Sequence, residues 1–166
     1  MRIRTLQHEV FDEKCYKLNV FDYNVDEYNH LAFISIIGTS LTDDDNLSHW
    51  FKTNHNNVLN LELDDITETV IVNGIALKAM SEEQASKCVD FIEQNLGKDF
   101  YIHCRAGVSR SGAVSQFIYD IFRDQVDVED FRQNNRHIQP NNHVLTMLKR
   151  AFYKKHSMFG CKNKDS

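Results

Sequence analysis

The chain has 166 residues, 42% of them hydrophobic, a single proline and a formal net charge of −5. That length makes one domain with enough material for a proper core, and the composition is that of an ordinary soluble globule. The acidic balance argues against a general nucleic-acid binder, and no apolar run approaches the ~20 residues needed to span a bilayer. Met-Arg-Ile-Arg-Thr-Leu-Gln-His at the start lacks the apolar core of a signal peptide. Four cysteines at irregular spacing make no disulfide framework. The expectation is a cytoplasmic, monomeric protein without a membrane anchor: a single domain over 1–156 and a flexible basic tail over 157–166.

The first 30 residues carry no pattern that assigns an element. Leu-Ala-Phe-Ile-Ser-Ile-Ile at 31–37 reads as a buried strand ended by Gly38. The polar stretch 39–57, with Asp43-Asp44-Asp45, is expected to hold a short helix around 47–51. Leu59, Leu61 and Leu63 alternate on one face of a second predicted strand, 58–63. Residues 66–80 are irregular, with a hairpin or short strand around 70–75 and a turn at Asn73-Gly74. A helix begins at Ser81, where Ser81 and Gln84 form a capping box, and Gly97 ends it. Its stripe is Ala85, Cys88, Val89, Ile92 and Leu96. A strand at 99–103 and a helix at 111–124 follow. A short helix from Val128 is capped by Asp127, and a last helix spans about 142–155. Strands alternating with helices predict an α/β fold, a central, mostly parallel sheet flanked by helices on both sides.

Residues 103–112 read His-Cys-Arg-Ala-Gly-Val-Ser-Arg-Ser-Gly. The preceding strand and the following helix make this a strand–loop–helix, so an anion bound by the loop would sit at a helix N-terminus. The spacing lets the six backbone N–H groups of Arg105, Ala106, Gly107, Val108, Ser109 and Arg110 point at one tetrahedral oxyanion. The Arg110 guanidinium would close the rim and grip two phosphate oxygens. A Cys104 thiolate at the floor is a nucleophile aimed at phosphorus, and the amides, the helix N-terminus and Arg110 all favour the anion. Gly107 permits a backbone conformation that a β-carbon would forbid. Ser111 sits beside the thiolate, able to stabilise it as a leaving group and to cap the helix.

This loop resembles the signature loop of the protein tyrosine phosphatase superfamily, and most the small dual-specificity branch, for which Gly-Val-Ser-Arg-Ser is typical. Val58-Leu-Asn-Leu-Glu-Leu-Asp-Asp is similar to the strand that carries the family's general acid. Gln139-Pro-Asn-Asn-His-Val-Leu is similar to the start of its last helix. The resemblance covers roughly 30–155. It implies a protein tyrosine phosphatase-like fold, a supporting role for His103 in orienting the loop, and a proton donor after the second strand. Asp64 and Asp65 both stand there. Asp65 is preferred, although it precedes Cys104 by 39 residues, further than is usual in that branch. The excess implies an insertion within 66–80. The implied chemistry runs through a phosphocysteine and needs no metal or cofactor, since Arg110 and the amides supply positive charge.

The expected function is phosphomonoester hydrolysis on phosphorylated proteins or peptides, at phosphotyrosine and also phosphoserine or phosphothreonine. Two alternatives stand beside it. One is a phosphatase for a phosphoinositide or an RNA 5′ phosphate. Relatives of those kinds tend to carry lysines in the loop or Asn-Arg-Thr at the place of Ser109-Arg110-Ser111, and neither mark is present. The other is a module that binds phosphorylated partners without turnover. Elsewhere, His30, His49, His55 and His143 make no metal spacing and read as scattered surface residues. Trp50 and Phe51 read as core before cleft, and Cys88 as a core residue. Cys15 is a candidate for a disulfide with an oxidised Cys104, though nothing in the sequence brings the two together.

Overall fold

A computed structural model describes residues 1–39 and 47–160, with side chains to residue 157. In chain order the elements are β1 (Ile3–Gln7), α1 (His8–Lys17), a 3₁₀ turn (Val25–Glu27), β2 (Leu31–Ile37) and β3 (Val58–Glu62). Then come β4 (Val70–Val72), β5 (Ile75–Leu77), α2 (Glu82–Gln94), β6 (Asp99–Cys104), α3 (Arg110–Ile121), α4 (Val128–Asn134) and α5 (Asn142–Gly160). Four strands form one parallel sheet in the order β1-β6-β2-β3, and β4 pairs antiparallel with β5 alone.

All seven residues of β2 are buried, which is why that strand is apolar without alternation. Its even positions, Ala32, Ile34 and Ile36, join one core with α2, α3, α4 and α5. Its odd positions, Leu31 and Phe33, join a second core with Phe11 and Cys15 of α1, Val20, Val25 and Phe51. Helices therefore cover both faces. No described helix is long and apolar enough to cross a membrane.

Local chemistry explains the boundaries. Ser81 Oγ accepts from Gln84 N at 3.2 Å and Ser81 N donates to Gln84 Oε1 at 3.0 Å, the expected capping box of α2. Ala85, Cys88, Val89 and Ile92 are buried at helical spacing, and burial pushes the Cys88 thiol up to about 12. Asp127 caps α4 through Asp130 N at 3.0 Å. Asn73 and Gly74 both have positive φ, 51° and 79°, the signature of a two-residue hairpin turn between β4 and β5. The hairpin lies within 66–80, the segment where an insertion is expected.

The opening 30 residues hold two elements that no sequence pattern announced. β1 is the sheet edge beside β6, and its exposed side is closed by one buried side chain. Asn135 Oδ1 accepts from Thr5 N at 3.1 Å and Asn135 Nδ2 donates to Ile3 O at 2.9 Å. The carboxamide thus stands in for a neighbouring strand and satisfies the edge. The helix expected around 47–51 does not form. Trp50 Nε1 donates to Val20 O at 2.9 Å and Asp22 accepts from Lys52 N at 3.0 Å, so tertiary bonds to the 18–28 segment replace helical ones. Phe51 is fully buried and Trp50 packs against the same core. The last helix continues five residues past the expected end, through 157–160 of the expected tail. Residues 161–166, and the acidic run 43–45, lie outside the described residues.

Candidate active site

The parallel sheet delivers Cys104 at the carboxyl end of β6, where ligands of such sheets bind. The chain then turns through 105–109 into α3, so the loop faces a helix N-terminus as expected. Three loop carbonyls are turned outward onto fixed donors. His8 N donates to Arg105 O at 3.1 Å, Gln139 N to Val108 O at 3.0 Å and Asn141 N to Ser109 O at 3.1 Å. All described peptides are trans. In a trans peptide the next N–H points opposite to the carbonyl, so the amides of Ala106, Ser109 and Arg110 are directed away from those donors. Gly107 has φ +68°, and a β-carbon there would lie 2.4 Å from the Leu6 carbonyl carbon and 2.5 Å from Gln7 N. The end of β1 is thus the floor on which the loop rests, and only glycine fits that approach.

Cys104, Ser111 and Arg110 are all buried, with relative exposures of 2%, 0% and 5%. Cys104 Sγ and Ser111 Oγ are 3.1 Å apart. Arg110 Nη1 donates to Leu63 O at 2.9 Å, which anchors the guanidinium to the chain leaving β3. Arg105 is exposed on the rim.

The two candidate acids part company. Asp64 is buried and fully engaged: its oxygens accept from Thr39 N at 3.0 Å, Thr39 Oγ1 at 2.5 Å and Lys78 N at 2.6 Å. It ties the two ends of the surrounding loops together. Asp65 is exposed and lies against the loop, its Oδ1 accepting from Ser109 Oγ at 2.7 Å and Asn141 Nδ2 at 2.8 Å. Asn141, not singled out from sequence, also caps α5 through Val144 N at 3.0 Å.

His103 is fully buried. Its Nε2 lies 2.7 Å from Ser35 Oγ, which lies 2.6 Å from His49 Nδ1. Burial, reinforced by His8 and His49, lowers the His103 ring to about 3, and burial with His8 lowers His49 to about 4. His49, read as a surface residue, is therefore half-buried behind the loop. Of the other histidines, His143 meets Met80 O and His55 meets Asp22 and Asp26. No group of three described side chains could hold a metal ion. The described cysteines are free, and Cys15 lies in the second core, its thiol pushed above the usual range by burial.

Two neutral histidines, His103 buried and His49 half-buried, give stability a pH dependence. In the unfolded chain each ring has its ordinary value of 6.5 and binds a proton that the folded ring refuses. Stability present above 6.5 is then lost as pH falls toward 4. His103 contributes a slope of about 1.4 kcal/mol per pH unit in that window, and the less buried His49 adds to it. Thermal melts between pH 7.5 and 4.5 are expected to show a falling Tm; a flat profile from pH 7 to pH 5 would contradict neutral rings.

No family model matches the chain, and no curated protein matches it. Solved structures do. PTPMT1 in complex with PI(5)P has 17% identity and a TM-score of 0.47 over 95% of this chain and 94% of that one. Tk-PTP in the active form has 18% identity and a TM-score of 0.46 over 91% of each. Human tyrosine phosphatase-like serine/threonine/tyrosine-interacting protein has 20% identity and a TM-score of 0.43 over 81% and 83%. At these identities and scores nothing about activity rests on them. The cysteine loop is seated between β6 and α3 of a parallel sheet flanked by helices, and its Gly-Val-Ser-Arg-Ser run resembles that of the small dual-specificity branch of the protein tyrosine phosphatase superfamily.

Proposed function

We propose that the chain is a cysteine-dependent phosphomonoester hydrolase acting on phosphotyrosine, phosphoserine and phosphothreonine in proteins or peptides. The observation that carries this reading is the contact of buried Cys104 with Ser111, on a loop that leads into α3 at the buried Arg110 and carries Asp65 bonded to its Ser109. In the first step the Cys104 thiolate attacks phosphorus, the bond to the leaving oxygen breaks, and Asp65 gives that oxygen its proton. In the second step water attacks the phosphocysteine, Asp65 takes a proton from the water, and the P–S bond breaks. Ser111 Oγ, 3.1 Å from Sγ, donates a hydrogen bond to the departing thiolate. The Arg110 fork and the loop amides hold the equatorial oxygens, whose charge is greatest in the transition state. Asn141 holds Asp65 toward the rim, and His103 orients the loop from behind.

The test is phosphate release from an aryl phosphate and from phosphotyrosyl and phosphoseryl peptides, in chelator and reductant. Turnover of all three is expected. Arg110→Lys keeps the charge but loses the planar fork, so kcat/KM is expected to fall about 10²–10³-fold. Activity that chelator removes, or that Arg110→Lys leaves intact, contradicts the mechanism. Turnover confined to a phosphoinositide or an RNA 5′ phosphate moves the substrate outside proteins.

A further inference from the structure

Behind the loop runs a polar chain that the two chemical steps do not use. Ser35 lies on β2, His103 on β6 and His49 on the segment before β3. Ser35 is fully buried, and its hydroxyl touches two ring nitrogens, His103 Nε2 at 2.7 Å and His49 Nδ1 at 2.6 Å. A hydroxyl has one proton. It can donate to only one ring, so the other ring must donate to it.

The two rings are therefore locked to each other. If His103 Nε2 is bare and accepts from Ser35, the Ser35 oxygen accepts from His49 Nδ1–H, and both rings carry their proton on Nδ1. If His103 Nε2–H donates to Ser35, the hydroxyl donates to His49 Nδ1, and both rings carry it on Nε2. In either direction the outer nitrogens, His103 Nδ1 and His49 Nε2, are buried with no bonding partner among the described residues.

The other walls fix the plane of the His103 ring but not its proton. Phe11 lies with its ring centroid 4.2 Å away and His8 makes an edge contact at 5.0 Å. The ionisable groups facing this cluster are His8 and Asp12 from α1, Lys52 from the segment after His49, and Arg110 from α3.

We propose that Ser35 and His49 are positioning residues for the nucleophile: a one-way chain through His49 Nδ1, the Ser35 hydroxyl and His103 Nε2 fixes the ring that precedes Cys104 and so the aim of its sulfur. The proposal rests on Cys104 as the reactive thiol, and its test reads that thiol without requiring turnover.

The rate of carbamidomethylation of Cys104 by iodoacetamide is followed by peptide mapping from pH 5 to 9. Ser35→Ala and His49→Leu remove the chain. The rate at pH 6 is expected to fall on the order of 10-fold in each, with the profile displaced to higher pH, and kcat to fall by a similar factor with KM little changed. A carboxamide near the place of Nδ1 can either donate or accept, so His49→Asn is expected to retain the wild-type profile. In spectra of ¹⁵N-histidine protein at pH 7, His103 and His49 are expected as the same neutral tautomer, both Nδ1–H or both Nε2–H. Wild-type alkylation profiles in both Ser35→Ala and His49→Leu overturn the proposal, as do opposite tautomers in the two rings. A normal alkylation response in a chain that hydrolyses no phosphate would sink the phosphatase reading and leave this one standing.

Discussion

Cys104→Ser is expected to abolish turnover, lowering kcat on the order of 10⁴-fold or more, while phosphopeptide binding survives. In the proposed first step the loop amides and Arg110 favour an anion on sulfur, while Asp65 carries the proton for the leaving group and so is no base for a hydroxyl. The neighbouring hydroxyl of Ser111, 3.1 Å from Sγ, is itself a proton carrier of similar strength. The nearest rings cannot help, because His103 is held near 3 and His49 near 4 by burial, and the facing nitrogens of both are occupied by Ser35. A serine hydroxyl at 104 would therefore stay protonated and unreactive at any pH the fold tolerates. The groups proposed to hold a phosphate, Arg110 and the loop amides, are untouched by the change. Isothermal titration of a phosphotyrosyl peptide into Cys104→Ser should give an affinity at least equal to the wild-type KM. Hydrolysis at more than a few per cent of the wild-type rate would mean that sulfur is not the nucleophile. Lost binding alongside lost turnover would point to a collapsed loop, which the Arg105, Val108 and Ser109 tethers argue against.

The loop was legible because its parts are contiguous in the chain: a cysteine, a glycine against β1, and an arginine six positions after the cysteine. β2 was legible because a strand buried on both faces has no polar positions to confuse the pattern, save Ser35. β1 and α1 were not, because their inward residues are disguised. Thr5 and His8 are buried through hydrogen bonds and ring contacts, and Asn135 closes the edge from 130 residues away. His49 looked like a surface residue because its partner, Ser35, belongs to a strand whose other residues are apolar. The choice between Asp64 and Asp65 needed tertiary structure for the same reason. The residues are adjacent and chemically identical, and only the positions of Thr39, Lys78, Ser109 and Asn141 distinguish a buried tie from an exposed acid.

That distinction makes the second large effect specific. Asp65→Asn is expected to lower kcat about 10²–10⁴-fold for a phosphotyrosyl peptide, and far less for an aryl phosphate whose phenol leaves readily as an anion. A carboxamide can still accept from Ser109 and Asn141, so the rim should keep its shape while losing its transferable proton. The wild-type rate is expected to decline on the basic side of its pH profile as the acid loses that proton. Asn has none to lose, so the decline should disappear in the variant. Asp64→Asn separates site from scaffold. Asp64 accepts three hydrogen bonds in a buried position, and the carboxamide would turn an N–H toward Thr39 or Lys78. Its cost should appear as a lower Tm, by about 1–3 kcal/mol of stability, with the leaving-group dependence and pH profile of the surviving activity unchanged. The discriminating measurement is the slope of log kcat against leaving-group pKa for a series of aryl phosphates. A slope that steepens in Asp65→Asn and not in Asp64→Asn assigns the acid. The opposite pattern would mean that Asp64 leaves its buried site when substrate binds, and the hydrogen bonds to Thr39 and Lys78 would then have to break in every turnover.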